Sequence, residues 1–181
     1  MEDRDFYEET GGVTLSGREC LMQWDFCVEL LKRLKEEGIN TAVDTCGYVS
    51  REILDTVIPY TDTFLYDVKA ITSEVHIRCT GKDNRLILDN LRYLDDLGKR
   101  IEIRIPFVPG YNDMEMEGIG DFLGEMRNIS GVRVLKYHNL SASRYRGLER
   151  PYPAADVRNP TDPELDDARK ILSDKGLNVL I

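Results

Sequence analysis

Thr63-Phe64-Leu65-Tyr66-Asp67-Val68-Lys69 decides the fold, because an apolar, β-rich run turns to charge at its carboxyl end. Four other segments repeat the pattern. They are Thr14-Leu15-Ser16-Gly17 leading to Glu19, Ala42-Val43-Asp44-Thr45, Ile103-Arg104-Ile105-Pro106 and Lys136-Tyr137-His138. In a parallel βα sheet or barrel the carboxyl ends of the strands share one face, and ligands bind there. The five tips are therefore expected to gather around one pocket.

Between these strands the apolar spacing changes to the helical period. Leu21, Phe26, Cys27, Leu30, Leu31 and Leu34 predict a helix near 21–37 with Gly38 as its stop. Ser50 is the expected N-cap of a helix near 50–57, and Asp83 or Asn84 caps one near 84–97 that ends at Gly98. Further helices are expected near 114–127 and 162–175. Strand 63–68 is expected to be covered on both faces, and strand 100–107 to alternate through Ile101, Ile103, Ile105 and Phe107. Val108-Pro109-Gly110-Tyr111-Asn112-Asp113 reads as a turn, with Pro and Gly fixing its corner. Residues 139–161, with Tyr145, Pro151, Tyr152, Pro153 and Pro160, have little periodicity and read as a functional loop.

Alternating strands and helices predict an α/β fold with right-handed crossovers. The 181 residues suit a single domain, 1–181. A closed eight-stranded barrel takes roughly 250, so a partial, open barrel is expected. A net charge of −9 argues against nucleic acid, which needs a surplus of Lys and Arg on one face. No apolar run is long enough to span a bilayer and no signal-type segment is seen, so the reading is cytoplasmic without membrane contact. Cys20, Cys27, Cys46 and Cys79 show no CxxC spacing and read as reduced thiols, some of them buried.

Carboxylates at Glu19, Asp44 and Asp67 with cations at Lys69 and Arg104 suit a zwitterionic ligand such as an amino acid. Simpler readings remain open at each position. Asp44-Thr45 could cap a turn, Asp67 and Lys69 could form a structural ion pair, and His138 could be a core histidine. Oxygen ligands at Asp44, Thr45 and Asp67 could also hold a hard cation. His76, on a short polar segment, is expected at the solvated surface. No nucleophile elbow, GxxxxGK loop or HExxH helix is present.

The strings Gly11-Gly12-Val13-Thr14-Leu15-Ser16-Gly17, Asp44-Thr45-Cys46-Gly47-Tyr48, Tyr66-Asp67-Val68-Lys69, Thr80-Gly81-Lys82-Asp83-Asn84, Arg104-Ile105-Pro106, Val108-Pro109-Gly110-Tyr111-Asn112-Asp113 and Tyr137-His138 resemble, in order, the glycyl-radical-enzyme activating enzymes. That family, of pyruvate formate-lyase activating type, lies in the radical S-adenosylmethionine (SAM) superfamily. The resemblance implies a partial (βα)6 barrel and a [4Fe–4S] cluster on a CxxxCxxC loop. It further implies reductive cleavage of SAM to a 5′-deoxyadenosyl radical, which takes hydrogen from a glycine of a partner glycyl-radical enzyme, pyruvate formate-lyase-like. Ser16, Gly17 and Glu19 then stand where the family's GGE motif meets the SAM ammonium. Asp44, Thr45, Asp67, Lys69, Arg104 and His138 would line the rest of the SAM site, Lys69 and Arg104 on the carboxylate.

The 181 residues contain no CxxxCxxC loop, and the resemblance begins at the family's second strand. The cluster is therefore not expected on this chain, which reads as the C-terminal portion of such an enzyme, inactive alone. Arg18 stands where the family has Gly, adding bulk and charge beside Glu19, so SAM is expected to bind weakly. Two alternatives are a non-catalytic module that binds a glycyl-radical enzyme or peptide, and a half-enzyme completed by a cluster-bearing chain. With the first strand missing, strand 12–16 is expected at an edge, inviting self-association.

Overall fold

The computed structural model describes residues 11–138 and 157–181. Six strands run in one open sheet, ordered as in the sequence: β1 (Gly12–Leu15), β2 (Asn40–Thr45), β3 (Thr63–Asp67), β4 (Arg100–Phe107), β5 (Ile129–Lys136) and β6 (Val179–Leu180). The helices are α1 (Trp24–Glu36), α2 (Arg51–Val57), α3 (Ser73–Thr80), α4 (Arg85–Asp96), α5 (Met116–Gly124) and α6 (Asp162–Asp174). Two compact units divide the described residues. The first lies within Met1–Asp67, Arg85–Ile103 and Met126–Ser130, the second within Val68–Asn84, Arg104–Glu125 and Gly131–Ile181.

In the first unit β1 pairs parallel with β2, Thr14 opposite Ala42, and β2 pairs parallel with β3, Asp44 opposite Leu65. Parallel neighbours need a crossover, and α1 and α2 supply it. Helix α1 buries Cys27, Val28, Leu31 and Leu34, one stripe at helical spacing. It stops where Gly38 takes φ +70° and the N–H groups of Gly38 and Ile39 bond back to Lys35 and Leu34. Ser50 caps α2 by accepting from the Ile53 N–H. Val43, Leu54, Phe64, Leu91, Leu94, Ile101 and Ile103 form the fully buried core, each contributing about 1.5–3 kcal/mol.

The second unit packs Ile105, Met116, Ile119, Leu123, Val132 and Leu172. Its strands β5 and β6 are parallel, Val132 opposite Val179. Helix α6 opens on a capping box in which Thr161 and Glu164 satisfy each other's backbone N–H.

Three expectations need correction. Phe26 is 62% exposed, because the buried stripe of α1 runs through Cys27 and Val28 and leaves Phe26 on the opposite side. Strand β3 is not covered on both faces: Phe64 and Tyr66 are buried while Thr63, Leu65 and Asp67 are half-buried. His76 is not a surface residue. It lies in α3, is 3% exposed, and its Nδ1 sits 2.8 Å from the Lys82 carbonyl. The helix escapes a local reading because its N-terminal turn is held from a distant segment, as set out below. Most of the 139–161 loop, including Tyr145, Pro151, Tyr152 and Pro153, lies outside the described residues.

Candidate functional site

In the first unit the acidic tips meet a set of short hydrogen bonds. Ser16 follows β1 one step beyond the Leu15–Val43 pair, so it stands beside Asp44 and donates its hydroxyl to Oδ2 at 2.8 Å. Asp67 ends β3 two residues past Leu65, the partner of Asp44. Since side chains alternate along a strand, Asp44, Leu65 and Asp67 share one half-buried face. Thr45 points to the opposite, buried face.

Glu19 turns inward to meet it. Thr45 Oγ1 lies 2.8 and 2.9 Å from the two carboxylate oxygens, the Cys46 N–H donates to Oε2 at 2.9 Å, and the Leu21 N–H donates to Oε1 at 3.1 Å. The Cys46 thiol adds a fourth donor at 3.1 Å from Oε2. Thr45 in turn accepts from the Gly47 N–H at 2.9 Å. Hydrogen bonds to a charged acceptor are the strong ones, so Glu19 ties the residues after β1 to those after β2. Arg18 is exposed, and the donors on Glu19 come from Leu21, Thr45 and Cys46 rather than its guanidinium.

Beside this clasp lies a recess of about 430 Å³, lined by Leu15, Ser16, Gly17, Glu19, Cys20 and Phe26 among others. Its size suits a small ligand.

The thiols are held as S–H donors. Cys27 Sγ donates to the Cys20 carbonyl at 3.2 Å and Cys20 Sγ to the Asp44 carbonyl at 3.4 Å. Burial, then the negative charge of Glu19, Cys27 and Asp44, pushes the Cys20 thiol up to about 12. Burial also raises Cys27 and Cys79. An iron–sulfur cluster needs three or four thiolates in one place. Among the described residues no group of three metal-binding side chains exists, so these thiols do not fit the cluster.

In the second unit Lys69 and Arg104 sit at adjoining backbone positions, the Val68 N–H donating to the Arg104 carbonyl at 3.0 Å. The stretch from Lys69 to Thr72 is fastened by three side chains. Asn112 Nδ2 donates to the Lys69 carbonyl at 2.8 Å, and Asn84 Nδ2 to the carbonyls of Ala70 and Ile71 at 2.9 and 2.7 Å. Buried Glu115 accepts from the N–H groups of Ile71 and Thr72 and from the Thr72 hydroxyl, each at 2.8 Å. That carboxylate is what holds the first turn of α3, consistent with its placement at a helix N-terminus. His138, two residues past β5, is exposed.

Ser16, Glu19, Asp44, Thr45 and Asp67 thus belong to the first unit, and Lys69, Arg104 and His138 to the second. The acids Asp44 and Asp67 lie in the first unit and the cations Lys69 and Arg104 in the second. Sequence reasoning missed Cys46, Asn84, Asn112 and Glu115. Their traces were Asn84 as a candidate helix cap, Cys46 as a reduced thiol and Asn112 within the turn at 108–113, none of them read as a site residue.

The Radical SAM superfamily profile matches residues 2–123. The trans-4-hydroxy-L-proline dehydratase activating enzyme of Clostridioides difficile is 38% identical over 99% of this chain and 61% of its own length. The choline trimethylamine-lyase activating enzyme of Oleidesulfovibrio alaskensis is 42% identical over 91% of this chain and 55% of its own. The chain therefore spans less than two thirds of these relatives. Among solved structures, a domain of a pyruvate-formate lyase-activating enzyme from Bacteroides vulgatus superposes with a TM-score of 0.79 at 29% identity, covering 94% of this chain and 98% of that one. Profile, identity and fold agree, and the chain belongs to the radical SAM superfamily, where its close relatives are glycyl-radical-enzyme activating enzymes.

Proposed function

We propose that this chain carries the SAM-facing strand ends of a glycyl-radical-enzyme activating enzyme. Asp44 and Asp67, on one face of neighbouring parallel strands, support the reading most directly. Lys69 and Arg104 receive the ligand carboxylate by charge-assisted hydrogen bonds. Asp44 and Asp67 face its cationic groups, and His138 the methionine or ribose end. Ser16, Gly17, Glu19 and Thr45 shape the loop against which the ammonium rests. Glu19 acts there through the backbone it fastens, since its carboxylate already has donors on both oxygens.

Bound SAM and a reduced [4Fe–4S] cluster supply the hydrogen-abstracting chemistry in this family, and the partner is a glycyl-radical enzyme. The described thiols do not fit the cluster, so these residues alone bind SAM weakly and do not cleave it. Among the described residues β1 pairs with β2 alone, and a second copy adding to its outer edge is the expected self-association. Light scattering tests this; a monomer at every concentration overturns it.

Nuclear magnetic resonance titration with SAM, joined to anaerobic reconstitution with iron and sulfide, tests the main reading. The expected result is a weak, saturable shift that Lys69→Ala and Arg104→Ala each reduce about tenfold, with no cluster absorbance. Unchanged affinity in both variants overturns the assigned site. A stable cluster on this polypeptide overturns its inactivity.

A further inference from the structure

We infer that Asn112 is a positioning residue that sets the spacing between Lys69 and Arg104. The inference rests on the reading that these two cations grip the ligand carboxylate.

The ladder that holds the two segments together is interrupted at Pro106. In a parallel ladder every second residue of a strand bonds its neighbour, and Val68 meets Arg104 in this way. The next such position is Pro106, which has no N–H to give. Asn112, 1% exposed, braces this point with its side-chain amide. One amide carries a hydrogen bond to the Lys69 carbonyl at 2.8 Å and another to the Pro106 carbonyl at 2.7 Å. Its Oδ1 accepts the Val108 N–H at 2.8 Å, closing the turn that carries it. Both N–H groups and the carbonyl are therefore used.

These bonds involve main-chain atoms on each side, one at Lys69 itself and one two residues past Arg104. They fix where the two side chains start without involving their charged ends. Arg78 steadies the turn from outside, donating to the carbonyls of Gly110 and Tyr111. A site that grips a carboxylate with two cations needs their origins held to about 0.5 Å. Asn90 offers the contrast. It is equally buried and ties the Gly47 and Val49 carbonyls in the first unit, but its Oδ1 has no partner and it touches neither cation.

The test is a SAM titration of the full chain with Asn112→Ala, Asn112→Ser, Asn90→Ala and Lys69→Ala, alongside urea unfolding of each. Asn112→Ala is expected to weaken SAM about tenfold and Asn112→Ser less, while Asn90→Ala lowers stability and leaves affinity within about twofold. In a Lys69→Ala background, Asn112→Ala is expected to cost little further affinity. Should Asn112→Ala fail to fold, Asn112→Ser carries the comparison. Wild-type affinity in the Asn112 variants, or an equal loss with and without Lys69, overturns the inference and leaves the cation reading standing. Wild-type affinity in Lys69→Ala, or no SAM response from the unaltered chain, overturns the cation reading and the inference with it.

Discussion

The two units secure their charged strand ends in different ways. In the first, the charged side chains themselves are tied: Glu19 by Thr45, Cys46 and Leu21, and Asp44 by Ser16. In the second, the main chain around the cations is tied, by Asn112, Asn84 and Glu115. A carboxylate accepts bonds from several donors at once, so an acid can be fixed directly at its charged end. Lysine and arginine are long and jointed, and fixing the main chain beneath them fixes where they begin.

Five substitutions break or sharpen this contrast. Gly47→Ala is expected to do most, about 3 kcal/mol or more in urea unfolding. A Cβ there would lie 1.7 Å from the Tyr66 hydroxyl, at φ +70°, and the shift would part Thr45 from Glu19. Next come Glu19→Ala and Glu115→Ala, each expected to cost about 2 kcal/mol by stranding N–H groups. Hydrogen exchange separates them: Glu19→Ala should speed Leu21 and Cys46, Glu115→Ala should speed Ile71 and Thr72. Exchange that rises equally at all four sites would erase the distinction between the units.

Asp62 gives a smaller effect through pH. Burial works to raise its pKa, but the Lys35 ammonium and the Thr41 N–H and hydroxyl outweigh it and hold the carboxyl below its ordinary 3.8. A depressed carboxylate stabilises the fold above that value and ceases to do so as pH falls through the folded value. Acid titration of stability should therefore flatten in Asp62→Asn, with the neutral-pH loss within about 1 kcal/mol for so exposed a pair. Ser16→Ala should change least, about 0.5 kcal/mol, since its bond to Asp44 is solvent-exposed.

The sheet was legible because strands announce themselves by alternation. Ile101, Ile103, Ile105 and Phe107 are all buried, as their spacing required. The charged tips were legible for the same reason, each lying on or just beyond a recognisable strand. Helix α3 was not, because Ser73–Thr80 has no strong apolar stripe and its first turn rests on Glu115, more than forty residues away. Asn112 was legible only as a corner. The two carbonyls it bridges, at Lys69 and Pro106, come from distant and nearby chain alike, and no local pattern marks such a meeting. Phe26 misled because it adjoins the true stripe of α1 by one position.

The contact of Gly47 with Tyr66 links two positions in descent. The phenol, fully buried and donating to the Ile87 carbonyl at 2.7 Å, fills the volume where residue 47 would otherwise carry a side chain. A lineage can enlarge residue 47 only after trimming the aromatic, and the reverse order passes through an ancestor that folds poorly. Chains of this kind should therefore inherit the glycine and the tyrosine as a couple, and lose them in one direction.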